Sequence, residues 1–247
     1  MRWSTAPFLL LTCSACAQVY FGNRAGVSIS KEVLKDAAGY SGINIHDDHT
    51  FQLLGCNFGA SLEFPLNDHF SLQPELGYVE KGYVSPKAAI PGSVEQMVRL
   101  GYADLTTLFK WTALSGNTRP EVFLGPALSH PLRTRDETRS DMLVYETGTF
   151  NEVVRTRAFN VRDNLAEWEF SAVLGAGFII QPGVARIHLG YRYVFGLSNI
   201  YRYVVDYTDV NGSLLGSGSM FNRTHMITIG YSIPLSREAW TETPSPR

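Results

Sequence analysis

Histidine, serine and acidic residues occur at a few spacings that could support chemistry. The run His46-Asp47-Asp48-His49 has the side-chain types that bind transition metals. Consecutive residues point in different directions, however, so they converge on one ion only if a dedicated turn and further ligands are present, and no further ligands are evident. We interpret the run as part of a solvated loop. The sequence predicts no metal site and no cofactor.

Two serine–histidine pairs raise the alternative of an enzyme that hydrolyses lipid. Ser129 and His130 are adjacent, and adjacent residues of a strand point to opposite faces. His69 and Ser71 have the better spacing, but they lie beside a predicted turn, with Ser71 on the inward face of its strand. A general base must reach the group it deprotonates. The sequence therefore predicts no catalytic residue.

The pattern that positions these side chains is an alternation with a period of two. From Phe51 to Tyr83, large apolar residues alternate with small or polar ones in two segments joined by a turn at residues 65–68. Such a period indicates a β-strand with two unlike faces. Each segment continues for about a dozen residues, whereas a tilted strand crosses a bilayer with about 9–11. The segment predicts a membrane-crossing hairpin or, taken alone, a hairpin of a soluble β-sandwich.

Six further segments alternate in the same way, and the connections between the eight strands decide between these readings. The further strands are predicted at residues 19–30, 99–111, 120–130, 164–181, 185–197 and 223–235. Long connections (31–50, 84–98, 132–163 and 198–222) alternate with short turns, as in outer-membrane barrels. The predicted fold is all-β: an eight-stranded antiparallel up-and-down transmembrane β-barrel with short periplasmic turns and long extracellular loops. Both termini are then expected on the periplasmic side.

The sidedness of the barrel follows from its charges. A charge in hydrocarbon costs several kcal/mol, so the face that contains charges should point inward. An eight-strand barrel has room inside for side chains and little else. Opposite charges in that space should pair, because an unpaired buried charge is costly. We predict a lumen charge network that plugs the barrel. Its members are Arg24, Glu63, Glu75, Lys81, Asp104, Lys110, Glu169, Arg186 and Arg192.

The N-terminus indicates export. Arg2, an apolar run at residues 6–11 and the small residues before Gln18 form the three regions of a secretory signal peptide. Cleavage is predicted between Ala17 and Gln18, giving a signal peptide (1–17), a barrel domain (18–235) and a polar C-terminal tail (236–247). A lipoprotein, with Cys16 acylated, is the alternative. Cleavage after Ala17 removes Cys13 and Cys16 and leaves Cys56 alone, so no disulfide within the mature chain is predicted.

Composition excludes several classes of protein. The formal net charge is -2 and the sequence pI is about 6.3, so nothing indicates a nucleic-acid partner. The sequence contains no stretch of 18 consecutive apolar residues, so it predicts no membrane-spanning helix. The expected partners are outer membrane lipid and lipopolysaccharide, together with a protein partner at the long loops.

Several ordered segments resemble a known family. They are FGNRAGVSIS (21–30), SLEFPLNDHFSLQPELGYVEKGY (61–83), a Tyr-x-Asp-Leu strand ending in Lys110-Trp111, FLGPALS (123–129), LGAGFII (174–180) and LGYRYVFGLSNI (189–200). Together they resemble the PorT-like, or porin-family, outer membrane β-barrel proteins of Bacteroidetes. Thr106 departs from the family, which often has proline there, and the polar tail replaces a strand that ends at the terminus.

The resemblance implies a non-enzymatic barrel in the cell outer membrane, and one named family member is associated with protein secretion across that membrane. We therefore expect a structural or interaction barrel with a plugged polar lumen, linked to envelope assembly or protein secretion. Three alternatives stay open: narrow-lumen transport of small solutes, a lipid-modifying barrel enzyme, and a soluble lipocalin-like binder with an apolar interior.

Overall fold

The computed structural model describes residues 18–35, 51–85, 94–113, 116–146, 149–159, 162–202, 205–208 and 214–235. These residues form ten strands and one short 3₁₀-helix. The strands are β1 (Tyr20–Lys35), β2 (Phe51–Pro65), β3 (Phe70–Ser85), β4 (Val94–Thr112), β5 (Thr118–Glu146), β6 (Thr149–Phe159), β7 (Glu169–Ile180), β8 (Arg186–Gly196), β9 (Val205–Thr208) and β10 (Leu214–Pro234), and the helix, η1, is Arg162–Asn164. No helix among the described residues is long and apolar enough to cross a membrane.

Eight of the strands close into a barrel. They follow the order β1-β2-β3-β4-β5-β7-β8-β10, every neighbouring pair is antiparallel, and β10 pairs back to β1. Following the register once around the barrel from Gly22 leads to Glu32, ten positions further along β1. This stagger means that the strands tilt against the barrel axis. The predicted eight-stranded antiparallel barrel is confirmed.

The outer wall of the barrel is apolar and its interior contains the charges. On the outer face, Leu76 and Leu174 are 64% and 61% exposed. On the inner face, Glu75 of β3 and Lys110 of β4 are each 2% exposed. Phe58, Leu72, Phe170 and Leu189 also lie on the outer wall. A water-soluble barrel of the lipocalin kind needs the reverse arrangement. This wall instead requires an apolar surrounding such as lipid.

The interior also holds apolar side chains, which pack among the charged ones. Leu108, Phe123, Val173 and Val194 are buried members of one cluster inside the barrel. Connections of four or five residues join β2 to β3, β4 to β5 and β7 to β8; we call this end of the barrel the short-turn end. We call the opposite end the long-strand end. There the side chains of Leu165 and Ile200 are buried, each 1% exposed, and Leu165 belongs to the same interior cluster.

Strand lengths at the long-strand end correct the predicted boundaries. Residues 132–163 were predicted to be one loop, but β5 continues to Glu146 and pairs with β6. Residues 198–222 were also predicted to be a loop, and they contain β9 and the start of β10. A strand beyond an apolar environment has no lipid-facing side, so it needs no apolar–polar alternation. The missing alternation concealed these strands.

Two interior glycines differ in the space around them, which gives a test of the packing. A Cβ added at Gly175 would overlap the ring of Phe123 and crowd the carbonyl oxygen of Tyr191. A Cβ added at Gly190 would meet Thr228 Oγ1 at 3.3 Å and nothing else within 3.8 Å. Gly175 is therefore a point of close approach between strand backbone and an interior aromatic ring.

We expect Gly175→Ala to lower the free energy of unfolding by about 1–3 kcal/mol, as overpacking in a tight interior does. The matched variant Gly190→Ala should change it by less than about 0.5 kcal/mol. Urea unfolding in lipid vesicles, followed by the electrophoretic shift of folded against unfolded barrel, measures both values. Equal losses for the two variants would contradict the packing around Phe123.

Candidate functional site: the charged lumen

Ion pairs fill the lumen in three groups along the barrel axis, the first at the short-turn end. The ammonium of Lys110 on β4 lies 3.3 Å from Glu63 Oε2 and 2.8 Å from Glu121 Oε2. It also donates a hydrogen bond of 2.9 Å to Gln73 Oε1. Arg186 on β8 pairs with the other oxygen of Glu63 at 3.3 Å. Two cations and two carboxylates from four strands thus neutralise one another.

Glu75 is the centre of the middle group. Its carboxylate accepts from Arg24 Nε at 3.0 Å and from Arg192 through both terminal guanidinium nitrogens, one of them at 2.9 Å. The bidentate geometry makes this the strongest kind of charge-assisted hydrogen bond. β3, which carries Glu75, lies opposite β8, which carries Arg192, in the order of strands. This pair therefore crosses the lumen.

The third group lies toward the long-strand end and is built around Lys81. The Lys81 ammonium is fully buried, lies 3.1 Å from Glu169 Oε1 and donates to Ser129 Oγ at 3.3 Å. Ser129 in turn donates to Asp104. Asn222 donates to the second oxygen of Glu169 at 2.8 Å. Asp104 also acts electrostatically on the two arginines of the middle group.

All nine residues predicted for the lumen network lie inside the barrel, and each belongs to one of these groups. Sequence reasoning missed Glu121, although its position two residues before Phe123 places it on the same inward face. It also missed Glu32, because that residue fell within a predicted loop. Asn57 and Gln73 share the inward faces of β2 and β3 with the charged residues, and they bond Arg24 and Lys110.

Ser232, His188 and Glu121 form an arrangement that was not predicted and that resembles a hydrolase triad. Ser232 Oγ lies 2.9 Å from His188 Nε2, and His188 Nδ1 lies 3.7 Å from Glu121 Oε1. Glu121 also faces Lys110, and the cavity beside the trio offers about 30 Å³ of water-sized space. Since one water needs about 10–15 Å³, this cavity has room for two or three waters and not for an acyl chain.

The other side chains considered for chemistry lie apart from one another. Ser71 is buried in the lumen, whereas His69 bonds the carbonyl of Thr112 at 3.0 Å at the short-turn end. Ser129 faces inward and His130 packs on Trp168 outside, with ring centroids 4.8 Å apart. Within the described ranges, no three histidine, cysteine or acidic side chains gather as a metal site. His46–His49 lies outside the described residues, and Cys56 is exposed on the outer wall.

Comparison with known proteins gives a family and a set of similar folds. Residues 17–202 match the family model described as outer membrane protein beta-barrel domain. No curated protein matches the chain.

Among solved structures, Ail, the attachment invasion locus protein of Yersinia pestis, is 13% identical over 87% of this chain and 99% of its own, with a TM-score of 0.37. OprG from Pseudomonas aeruginosa is 10% identical over 88% and 97%, with a TM-score of 0.47. The outer membrane protease OmpT from Escherichia coli is 10% identical over 89% and 96%, with a TM-score of 0.24.

The lumen network predicts that a buried ion pair contributes more to the free energy of unfolding than an exposed one. Glu75→Gln removes the negative charge from between two arginines, and leaving such charges uncompensated costs about 3–5 kcal/mol. Glu167→Gln is the matched control, because the Glu167–Arg202 pair is solvent-exposed and worth at most about 1 kcal/mol. Unfolding free energies in vesicles measure the difference. A Glu75→Gln variant as stable as the control would show that the middle group does not hold the barrel together.

Proposed function

The chain belongs to the outer membrane protein β-barrel domain family, and from this premise we propose that it is an exported, non-enzymatic barrel of the outer membrane. Its lumen is closed to ions, and its long-strand end is a platform for a partner protein outside the membrane. The apolar outer wall contacts membrane lipid and lipopolysaccharide. The short-turn end faces the periplasm.

The observation that carries the closed lumen is the ion-pair bridge from Glu75 to Arg192, which joins opposite sides of the barrel. The Lys110 and Lys81 groups lie on either side of it. Opening a path would separate buried opposite charges, at a cost of several kcal/mol for each pair. This weakens the alternative of solute transport.

A non-enzymatic role is supported by the same crowding. Ser232 and His188 lie at hydrogen-bonding distance. The cavity beside Ser232, His188 and Glu121 has room only for water molecules. Glu121 is also shared with Lys110, which competes for the charge that would orient the histidine. We assign the trio to the packing of the lumen.

Planar bilayer recordings test the closed lumen. The wild-type barrel should give no stable unitary conductance, whereas the double variant Glu75→Ala, Arg192→Ala should give measurable channels because it removes the central bridge. Asp68→Asn, which changes a charge at the short-turn end, is the control and should resemble wild type. Large, stable currents from the wild-type protein would refute a plug and favour transport.

The platform is argued from strand length. β5 has 29 residues, against about 9–11 needed to cross a bilayer. Its pairing with β6 runs from Asp136–Phe159 to Glu146–Thr149, and β4 pairs with the same part of β5 as far as Val94–Ser140. A three-stranded sheet therefore continues past the ring of eight strands. Surface extensions on a rigid scaffold commonly carry binding function.

The partner class is proposed from the resemblance to PorT-like barrels of Bacteroidetes, which supports a role in envelope assembly or protein secretion. Export by a signal peptide ending at Ala17, the mature start at Gln18 and the polar tail at 236–247 are parts of the same proposal. Residues 1–17 and 236–247 lie outside the described residues.

Shortening the β5–β6 hairpin tests the platform. We expect replacement of residues 138–157 by a two-residue Gly turn to leave the barrel folded and to abolish co-purification of its partner from solubilised outer membrane. Mass spectrometry of material captured with the full-length protein identifies that partner. A barrel with Asn67 and Asp68 replaced by glycine controls for a loop change at the other end. Equal capture by the shortened and full-length barrels would remove the hairpin from the interface.

A further inference from the structure

Glu32 is a buried carboxylate near the end of β1, on the inward face of the barrel at the long-strand end. It is 3% exposed, and neither of its carboxylate oxygens has a hydrogen-bond partner. An isolated carboxylate is among the most costly groups to bury. The charge of Glu32 is therefore either removed by a proton or compensated by a bound cation.

The surrounding charges increase this need. In the group at the short-turn end, two paired cations face two carboxylates. In the middle group, Arg24 and Arg192 face Glu75, and Asp104 of the third group adds a negative charge that acts on both arginines. At the long-strand end, the inward-facing cation of the third group is Lys81, and Lys81 is already paired with Glu169. Glu32 adds a second negative charge that repels Glu169.

Two further oxygens beside Glu32 also lack partners. Asn222 is paired with Glu32 across the β1–β10 ladder, and its amide oxygen accepts no hydrogen bond while its nitrogen donates to Glu169. Thr224 lies two residues along the same inward face and is fully buried, and its hydroxyl is unpaired. Directly opposite and diagonal neighbours in a ladder lie within reach of one another.

We propose that the long-strand end of the lumen binds a calcium-class cation between the Glu32 carboxylate, the Asn222 amide oxygen and the Thr224 hydroxyl. Hard divalent cations take oxygen ligands of these three kinds, with water completing a shell of 6–8. A proton is the competing occupant. A proton would let the Glu32 carboxyl donate to the Asn222 amide oxygen while the Thr224 hydroxyl donates to the carboxyl, whereas a cation would take all four oxygens as ligands. Cation binding by the folded barrel distinguishes the two occupants.

The site has one directly bound carboxylate, and Lys81 lies nearby, so its affinity should be modest. Calcium sites of extracellular proteins have dissociation constants of about 10⁻⁴–10⁻³ M, and we expect a value in that range. Binding in this position would fix β1 to β10, the two strands that close the barrel. The proposal does not depend on whether the lumen conducts ions.

Calcium titration calorimetry on the full-length barrel, refolded in detergent free of lipopolysaccharide, tests the site. Wild type should bind one Ca²⁺ per barrel, Glu32→Gln should weaken binding at least tenfold, and Asn222→Ala should weaken it by a smaller factor. Glu80→Gln is the matched control, because Glu80 lies on the outer wall beside Tyr78 and Cys56. It should bind like wild type.

Each outcome decides the proposal. Saturable binding that is lost in Glu32→Gln and kept in Glu80→Gln supports it. A wild-type titration without saturation overturns it and assigns a proton to Glu32, whatever the variants do. Unchanged binding in a Glu32→Gln barrel that keeps the electrophoretic shift of the folded state also overturns it, by placing Ca²⁺ elsewhere.

Discussion

The structure depends on the cost of an unpaired charge in a medium of low polarity. That cost keeps most charged residues off the outer wall, where Glu80 is an exception, and it requires those inside to find opposite charges. Glu75 satisfies both demands. It lies on the inward face of β3, away from the apolar outer face, and it joins Arg24 to Arg192 inside the lumen. The rest of the barrel repeats this division of each strand into an apolar and a paired polar face.

The stagger of the strands determines which charges can meet. A shift of ten positions around the ring tilts every strand, so inward residues that are distant in sequence come to a common level. Glu75 and Arg192 are 117 positions apart in the chain. Interior glycines such as Gly175 supply the space in which large side chains, here Phe123, lie against the strand backbone. Arg192 packs over the same ring, 5.2 Å from its centroid.

Alternation predicted the eight barrel strands and the inward face of the nine charged residues assigned to the lumen, because a period of two is a property of the backbone itself. It could not predict partners: nothing local in sequence relates Lys81 to Glu169. It also failed at residues 132–163, whose sequence lacks the alternation although the end of β5 and the whole of β6 lie there. Glu32 was missed because it fell within a predicted loop, and the Ser232–His188 pair because it joins separate strands.

The central claim is that apolar side chains face lipid along the whole of each spanning strand. Nitroxide scanning of β7 in lipid vesicles tests it most directly, one cysteine at a time from position 169 to 180 in a Cys56→Ser background. Collision with dissolved oxygen should rise and fall with a period of two, with maxima at Phe170, Leu174 and Phe178 and minima at Ser171, Val173 and Ile179. Maxima at the second set, or no alternation, would contradict the account.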